Sequence, residues 1–286
     1  MGPVWEANHM WIILAVVILF NGFPRAYSQL SIYLHVPLTM MLVGIILRGC
    51  AFTFRHYDAK VDESTKAYSF IFRHSSFLTT FMLGVMAGAL IEGNFVLADG
   101  GASYWDTYWA PWLSSFTFSV GAFLVTLFAY QSSIFFVGED LSDNLKLHFA
   151  KKSRQFNLAA VVSGLLVFLS AFWCDVPLAS RFFSHPWSLG CMVIATLCIF
   201  PIWRGLNTFN KWTLRGLSGL QMTLIILGWV ALQFPQVLKF QSGESVDLYG
   251  AAAPEATLFF LLTALCVGSV FIFPSLFYLF HVFKHR

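Results

Sequence analysis

Apolar stretches of roughly 17 to 25 residues recur along the whole chain, each long enough to cross a hydrocarbon core of ~30 Å. In lipid a backbone must satisfy its own hydrogen bonds, so such stretches are helices unless they close into a barrel. A barrel requires period-2 alternation of apolar and polar residues, and this chain has none. Composition agrees: 58% of residues are hydrophobic and 11% charged, against about 25% charged in soluble domains. The hydropathy pattern predicts eight spans, running approximately from His9 to Pro24, Ser28 to Phe54, Ser75 to Ile91, Trp112 to Val137, Phe156 to Trp173, Pro186 to Trp203, Leu217 to Phe234 and Thr257 to Phe283. The polar connections are too short for a soluble domain, so residues 1–286 read as one integral membrane domain of the all-α, polytopic class. Phe23-Pro24 and Phe234-Pro235 each end a span, which hints at an internal repeat and predicts two four-helix bundles.

Lys and Arg fix the orientation, because they concentrate in cytoplasmic loops. One side collects Arg55, Lys60, Lys66, Arg73, Lys146, Lys151, Lys152, Arg154, Arg204, Lys211, Arg215, Lys284 and Arg286, while the other holds Arg25, Arg181 and Lys239. The first side is therefore expected to be cytoplasmic, with both chain ends there. The net charge of +3 follows from this bias and does not indicate nucleic-acid binding. The outer connections are acidic and aromatic (Glu92, Asp99, Tyr104, Trp105, Asp106, Tyr108, Trp109, Trp112), as in an interfacial aromatic belt; a partner's docking surface is the alternative. Cys50, Cys174, Cys191, Cys198 and Cys266 include no Cys-x-x-Cys pair and read as small apolar fillers without a disulfide framework.

Ionisable groups inside spans are costly and default to functional hypotheses. Trp5, Glu6, Asn8 and His9 cluster at the inner end of the first span, followed by Trp11. Glu6 and His9 are three apart and share a helix face. A carboxylate at the wet end of a titratable chain suits proton entry. A solvated terminus with Glu6 favoured by the helix dipole explains the same residues. No positively charged leader or cleavage site precedes this span, so it is not a signal peptide. The Gly2-Pro3-Val4-Trp5-Glu6 run reads as a turn between two helices, and an upstream helix is expected.

Arg48 lies about 10 Å inside the cytoplasmic boundary set by Arg55. It either snorkels or pairs with a carboxylate or a cofactor propionate, with Glu6 at similar depth. A haem held by two histidines needs imidazoles at matching depth on facing helices. His9 and His35 differ in depth by roughly 15–20 Å; His9 with His281 is possible in depth, but His281 sits in the last turn before Lys284. The sequence therefore argues against a haem ligated wholly by this chain, and no metal motif is present. Tyr130-Gln131-Ser132-Ser133, Gln221 and Gln233 put polar groups mid-span, suited to interhelical hydrogen bonds or to a quinone-like pocket.

In order and spacing, several segments resemble subunit II of the cytochrome bd ubiquinol oxidases. Gly2-Pro3-Val4-Trp5-Glu6-Ala7-Asn8-His9-Met10-Trp11 is similar to that family's Trp-Asp/Glu-x-Asn-x-x-Trp segment. Phe23-Pro24-Arg25-Ala26-Tyr27 follows, then Leu47-Arg48-Gly49-Cys50-Ala51-Phe52-Thr53-Phe54-Arg55, similar to Leu-Arg-x-x-Ala-Phe-x-Phe-Arg. Gly228-Trp229-Val230-Ala231-Leu232-Gln233-Phe234-Pro235, Ala252-Ala253-Pro254-Glu255-Ala256-Thr257-Leu258 and Pro274-Ser275-Leu276-Phe277-Tyr278-Leu279-Phe280 fit as well. Members of the family have nine membrane helices, so the resemblance implies a further helix ahead of this chain, lost through a misplaced start, a split gene or a truncation.

The resemblance implies a subunit of a respiratory complex in the bacterial cytoplasmic membrane that oxidises quinol and reduces oxygen to water. Haems b558, b595 and d and the quinol site would belong to subunit I, the heterodimer partner. This chain would stabilise that partner and contribute to proton and oxygen access, without being catalytic alone. The proton-path carboxylate falls on Glu6 beside Trp5, the tryptophan flanking the oxygen route on Trp11, and the motif arginines on Arg48 and Arg55. A structural quinone and a small accessory subunit are compatible with the resemblance, as are bound lipids. The alternative is a secondary transporter with Glu6 and Arg48 as its coupling pair; it predicts helices broken near the midplane.

Overall fold

The computed structural model describes residues 2–57, 63–98, 101–137 and 142–284, with the side chains of residues 2–10, 56–57, 63–64, 280–281 and 283–284 outside that description. The elements are α1 (Gly2–Gly22), α2 (Pro24–Tyr33), α3 (His35–Tyr57), α4 (Glu63–Glu92), α5 (Tyr104–Tyr108), a 3-10 turn (Ala110–Trp112), α6 (Ser115–Val137), α7 (Asp143–Trp173), α8 (Leu178–Ser184), α9 (Pro186–Leu197), α10 (Ile199–Thr208), α11 (Lys211–Gln233), strands β1 (Gln236–Lys239) and β2 (Ser245–Asp247), and α12 (Glu255–Lys284). The helical class holds, with one small addition: β1 and β2 form a two-stranded sheet. Among the described residues seven helices are long and apolar enough to span a membrane, or eight if the bent pair α1–α2 counts as one.

The second span expected from the sequence, Ser28 to Phe54, is not one helix. Polar residues Ser28, Gln29 and Ser31 belong to the short α2, and a turn at Leu34 separates it from α3. Helices α1 and α2 meet at 114°. Pro24 sets this corner. It has no N–H to continue α1, yet its fixed φ suits the first position of a new helix, and the Phe23 carbonyl accepts the Tyr27 N–H at 2.9 Å. The sixth span, Pro186 to Trp203, is interrupted at Cys198 and continues to Thr208. Pro201 is the cause: it cannot bond the carbonyl of Leu197, and its ring crowds that turn.

Contacts divide the chain into two compact units, one of residues 1–32, 235–238 and 245–286, the other of residues 33–234 and 239–244. The helices thus group unequally and not four with four, because the two ends of the chain pair with each other. In the first unit α1 packs on α12. Gly22 permits the approach: a Cβ there would meet Leu261 Cδ2 at 3.3 Å, and the Ala253 N–H donates to the Gly22 carbonyl at 2.8 Å. None of the membrane-crossing part of α12 is buried within this chain.

In the second unit α4 packs on both α3 and α6, α6 on α7, and α9 on α11. Lipid tails are as apolar as leucine, so helices there associate through close packing and hydrogen bonds. Both devices appear. A Cβ on Gly84 would lie 2.7 Å from the Gly121 Cα, and one on Gly88 2.9 Å from the Thr117 Cα, so α4 and α6 touch backbone to backbone. Along α6 and α7 a ladder of hydroxyl pairs joins Ser119 to Ser170 (2.6 Å), Thr126 to Ser163 (2.8 Å) and Ser133 to Ser153 (2.8 Å). On α6 these positions recur every seven residues, which keeps one stripe facing the neighbour. Apolar clusters lie toward each end, around Ile134, Ile202, Leu206 and Leu214, and around Phe116, Val120, Val167 and Ala171.

Candidate functional site

The backbone of Trp5, Glu6, Asn8 and His9 belongs to α1, but their side chains lie outside the described residues. Trp11, one turn further in, is described. Its ring lies 6.0 Å from that of Phe273 on α12, tilted by 31°, and it is 42% exposed. The first unit therefore offers an aromatic, apolar pair just beyond the polar turns of α1.

Arg48 sits on α3, half buried. Its guanidinium carbon lies 5.6 Å from the centre of the Phe72 ring on α4, within cation–π range. Its Nε is buried and has no hydrogen-bond partner among the described residues. The described carboxylates bring no ion pair to Arg48. Phe72 thus covers one face of a charge that is otherwise unmatched within the described chain. Arg55, seven residues on, is exposed.

Tyr130 and Gln221 find one another mid-span, while Gln131 Oε1 is buried without a hydrogen-bond partner among the described residues. The buried Tyr130 hydroxyl donates to Gln221 Oε1 at 2.9 Å, and Gln221 Nε2 donates to the Ala195 carbonyl at 2.9 Å, tying α6, α11 and α9 together. Gln233 Nε2 donates to the Leu90 carbonyl at 3.0 Å and Arg181 Nη1 to the Ile91 carbonyl at 3.1 Å. These are orphan carbonyls at the end of α4, and a cation there also complements the helix dipole. Ser114 Oγ donates to Glu92 Oε2 at 2.6 Å beside them. Burial, helped by the nearby Arg181 guanidinium, pulls the Lys239 ammonium below the usual lysine range. The outer aromatic residues partly turn inward: Trp112 is buried and its indole N–H donates to the Tyr108 carbonyl at 2.8 Å, whereas Tyr104 and Trp105 stay exposed.

His35, His74 and His148 are each engaged in local contacts. The His35 ring meets the Tyr108 edge, His74 Nδ1 lies 2.8 Å from its own helix's Phe70 carbonyl, and His148 packs on Phe149. Among the described residues no three His, Cys, Asp or Glu side chains gather as a metal shell, and the five cysteines are unpaired.

A model of the cytochrome bd terminal oxidase subunit II family matches residues 1–283. The chain belongs to this family. It is 24% identical over 292 residues to the cytochrome bd ubiquinol oxidase subunit 2 of Bacillus subtilis, covering 100% of this chain and 82% of that protein. A shorter match, 26% over 93 residues, covers 32% of this chain and 24% of the Escherichia coli K12 cytochrome bd-I ubiquinol oxidase subunit 2. Among solved structures, the bd oxidase from Geobacillus thermodenitrificans shares the fold, with a TM-score of 0.79 at 19% identity, covering 100% of this chain and 84% of that one. The chain is thus a multi-span membrane subunit of a bacterial respiratory oxidase family, and the secondary-transporter alternative falls. Haem belongs to such complexes, and another oxidase subunit is implied.

Sequence reasoning missed the hydroxyl ladder and the glycine seam. Both had a signal: Ser119, Thr126 and Ser133 at heptad spacing, and Gly84-x-x-x-Gly88 in an apolar run.

Proposed function

We propose that this chain is the proton-admitting and oxygen-admitting subunit of a quinol:oxygen oxidoreductase whose haems b558, b595 and d are ligated by subunit I. Oxygen reduction to water consumes protons, and drawing them from the cytoplasm builds a membrane potential. The concentration of Lys and Arg on one side supports a cytoplasmic C-terminus and a cytoplasmic start of α1. Glu6 is the relay carboxylate, with Asn8 and His9 on the adjoining turn and Trp5 beside it. Trp11 lines the oxygen route: oxygen partitions into apolar media, and the contact of Trp11 with Phe273 supplies an apolar, aromatic wall. Arg48, with its unmatched Nε, reaches an anionic group across the interface with subunit I, and Arg55 anchors the same helix at the lipid headgroups.

The whole-chain family match carries this reading. Glu6→Gln in the intact complex tests it. Oxygen consumption with excess quinol should fall on the order of tenfold or more, with the haem spectrum unchanged, and Glu6→Asp should restore most of it. Wild-type turnover in Glu6→Gln would remove Glu6 from the relay.

A further inference from the structure

A cavity of about 480 Å³ opens between α7 and the end of α10. From α7 it takes Leu147, Ala150, Lys151 and Arg154, spaced as one helix face. From the other wall come Leu206, Asn207 and Phe209. Two cations and an amide meet apolar residues here, and among the described residues no carboxylate lines the space. Arg154 is fixed in place: its Nη2 donates to Asn207 Oδ1 at 2.6 Å. Its Nε is nevertheless buried and has no acceptor among the described residues. A buried donor of this kind is costly to leave unmatched. Phe209 closes the wall in a left-handed conformation, φ +52°, a strained state for an aromatic residue of the kind that gathers at ligand clamps.

The depth of the cavity selects its ligand. The apolar run of α7 begins at Phe156, two residues past Arg154, so the guanidinium stands where hydrocarbon gives way to headgroups. The flanking Lys146 and Arg204 make this end attractive to anions. Basic pockets between helices at this level suit anionic lipid headgroups. At ~30 Å³ per water the space also exceeds what one inorganic phosphate fills. We propose that Lys151, Arg154 and Asn207 form a binding site for the phosphodiester headgroup of an anionic phospholipid. Arg154 Nε would donate to a phosphate oxygen, and Lys151 would supply a second charge.

Native mass spectrometry of the intact oxidase complex tests this, with phosphatidylglycerol and phosphatidylcholine added in equal amounts. The wild type should retain one phosphatidylglycerol in preference to phosphatidylcholine by on the order of 30-fold, from two interfacial cations. Lys151→Gln with Arg154→Gln should bring the ratio close to parity while the haem spectrum stays normal, and Lys152→Gln, outside the cavity, should keep the wild-type ratio. Adding sodium phosphate should not displace the lipid. Parity in the wild type, an unchanged ratio in the double variant, or an adduct with the mass of inorganic phosphate in place of the lipid would each overturn the proposal. The wild-type comparison decides the matter even if the double variant fails to assemble.

Discussion

Replacing Gly84 by alanine puts a methyl carbon 2.7 Å from the Gly121 Cα and 2.9 Å from the Val120 carbonyl oxygen. Both obstacles are backbone and cannot swing aside as a flexible side chain would. Ordinary contact begins near 3.4 Å, so α4 and α6 must part by about 0.7 Å at this crossing. A radial gap of 0.5–1 Å forfeits about a quarter to a half of each dispersion contact it opens. In lipid no hydrophobic term compensates, because the parted surfaces meet acyl chains as apolar as themselves. Overpacking of this kind costs about 1–3 kcal/mol, roughly a 5- to 150-fold loss in the folding equilibrium. Gly219 on α11 is the control, since a Cβ there meets nothing within 4 Å; alanine at that site should be neutral or stabilise by up to about 1 kcal/mol through helix propensity. Dodecyl sulfate titration of the purified complex in mixed micelles, followed by tryptophan fluorescence, gives both midpoints. Equal midpoints for Gly84→Ala and Gly219→Ala would refute the close backbone seam.

Other substitutions probe the polar contacts. Tyr130→Phe should destabilise by about 0.5–2 kcal/mol by leaving Gln221 Oε1 short of a donor, and a double-mutant cycle with Gln221→Leu should give a coupling near ~0.6 kcal/mol; additive effects in that titration would deny the bond. Arg48→Leu should reduce the yield of assembled complex or shift its haem spectrum, whereas Arg48→Lys should be milder; wild-type yield and spectra in both would show that Arg48 merely reaches water. Lys239→Met should raise stability, because the folded state disfavours the charged lysine. That cost is complete below the lowered pKa and fades as pH rises through it, so the gain over wild type should shrink between neutral and alkaline pH in thermal melts. A gap independent of pH would refute the burial argument.

Chain chemistry alone determined the solvent of this protein, and with it the helical class. Long apolar runs with few charges can satisfy their backbone in lipid only as helices. The order of short segments around Glu6, Arg48 and Trp229 was enough to suggest the family, because those residue types are rare where apolar ones would serve. Local breaks were harder to see. Pro24 and Pro201 were visible, but whether a proline bends, ends or merely tilts a helix depends on what the next turn packs against. Tertiary structure alone decided which polar residues meet. Gln221 could have faced lipid, a cavity or Tyr130, and its sequence position is the same in all three cases. Pairing of the chain's two ends through α1 and α12 was likewise invisible, since the membrane-crossing runs of both helices are apolar on every side and carry no stripe to name a partner. In water a hydrophobic face announces its neighbour; in lipid steric fit and hydrogen-bond geometry choose it, and those exist only once the backbones are placed.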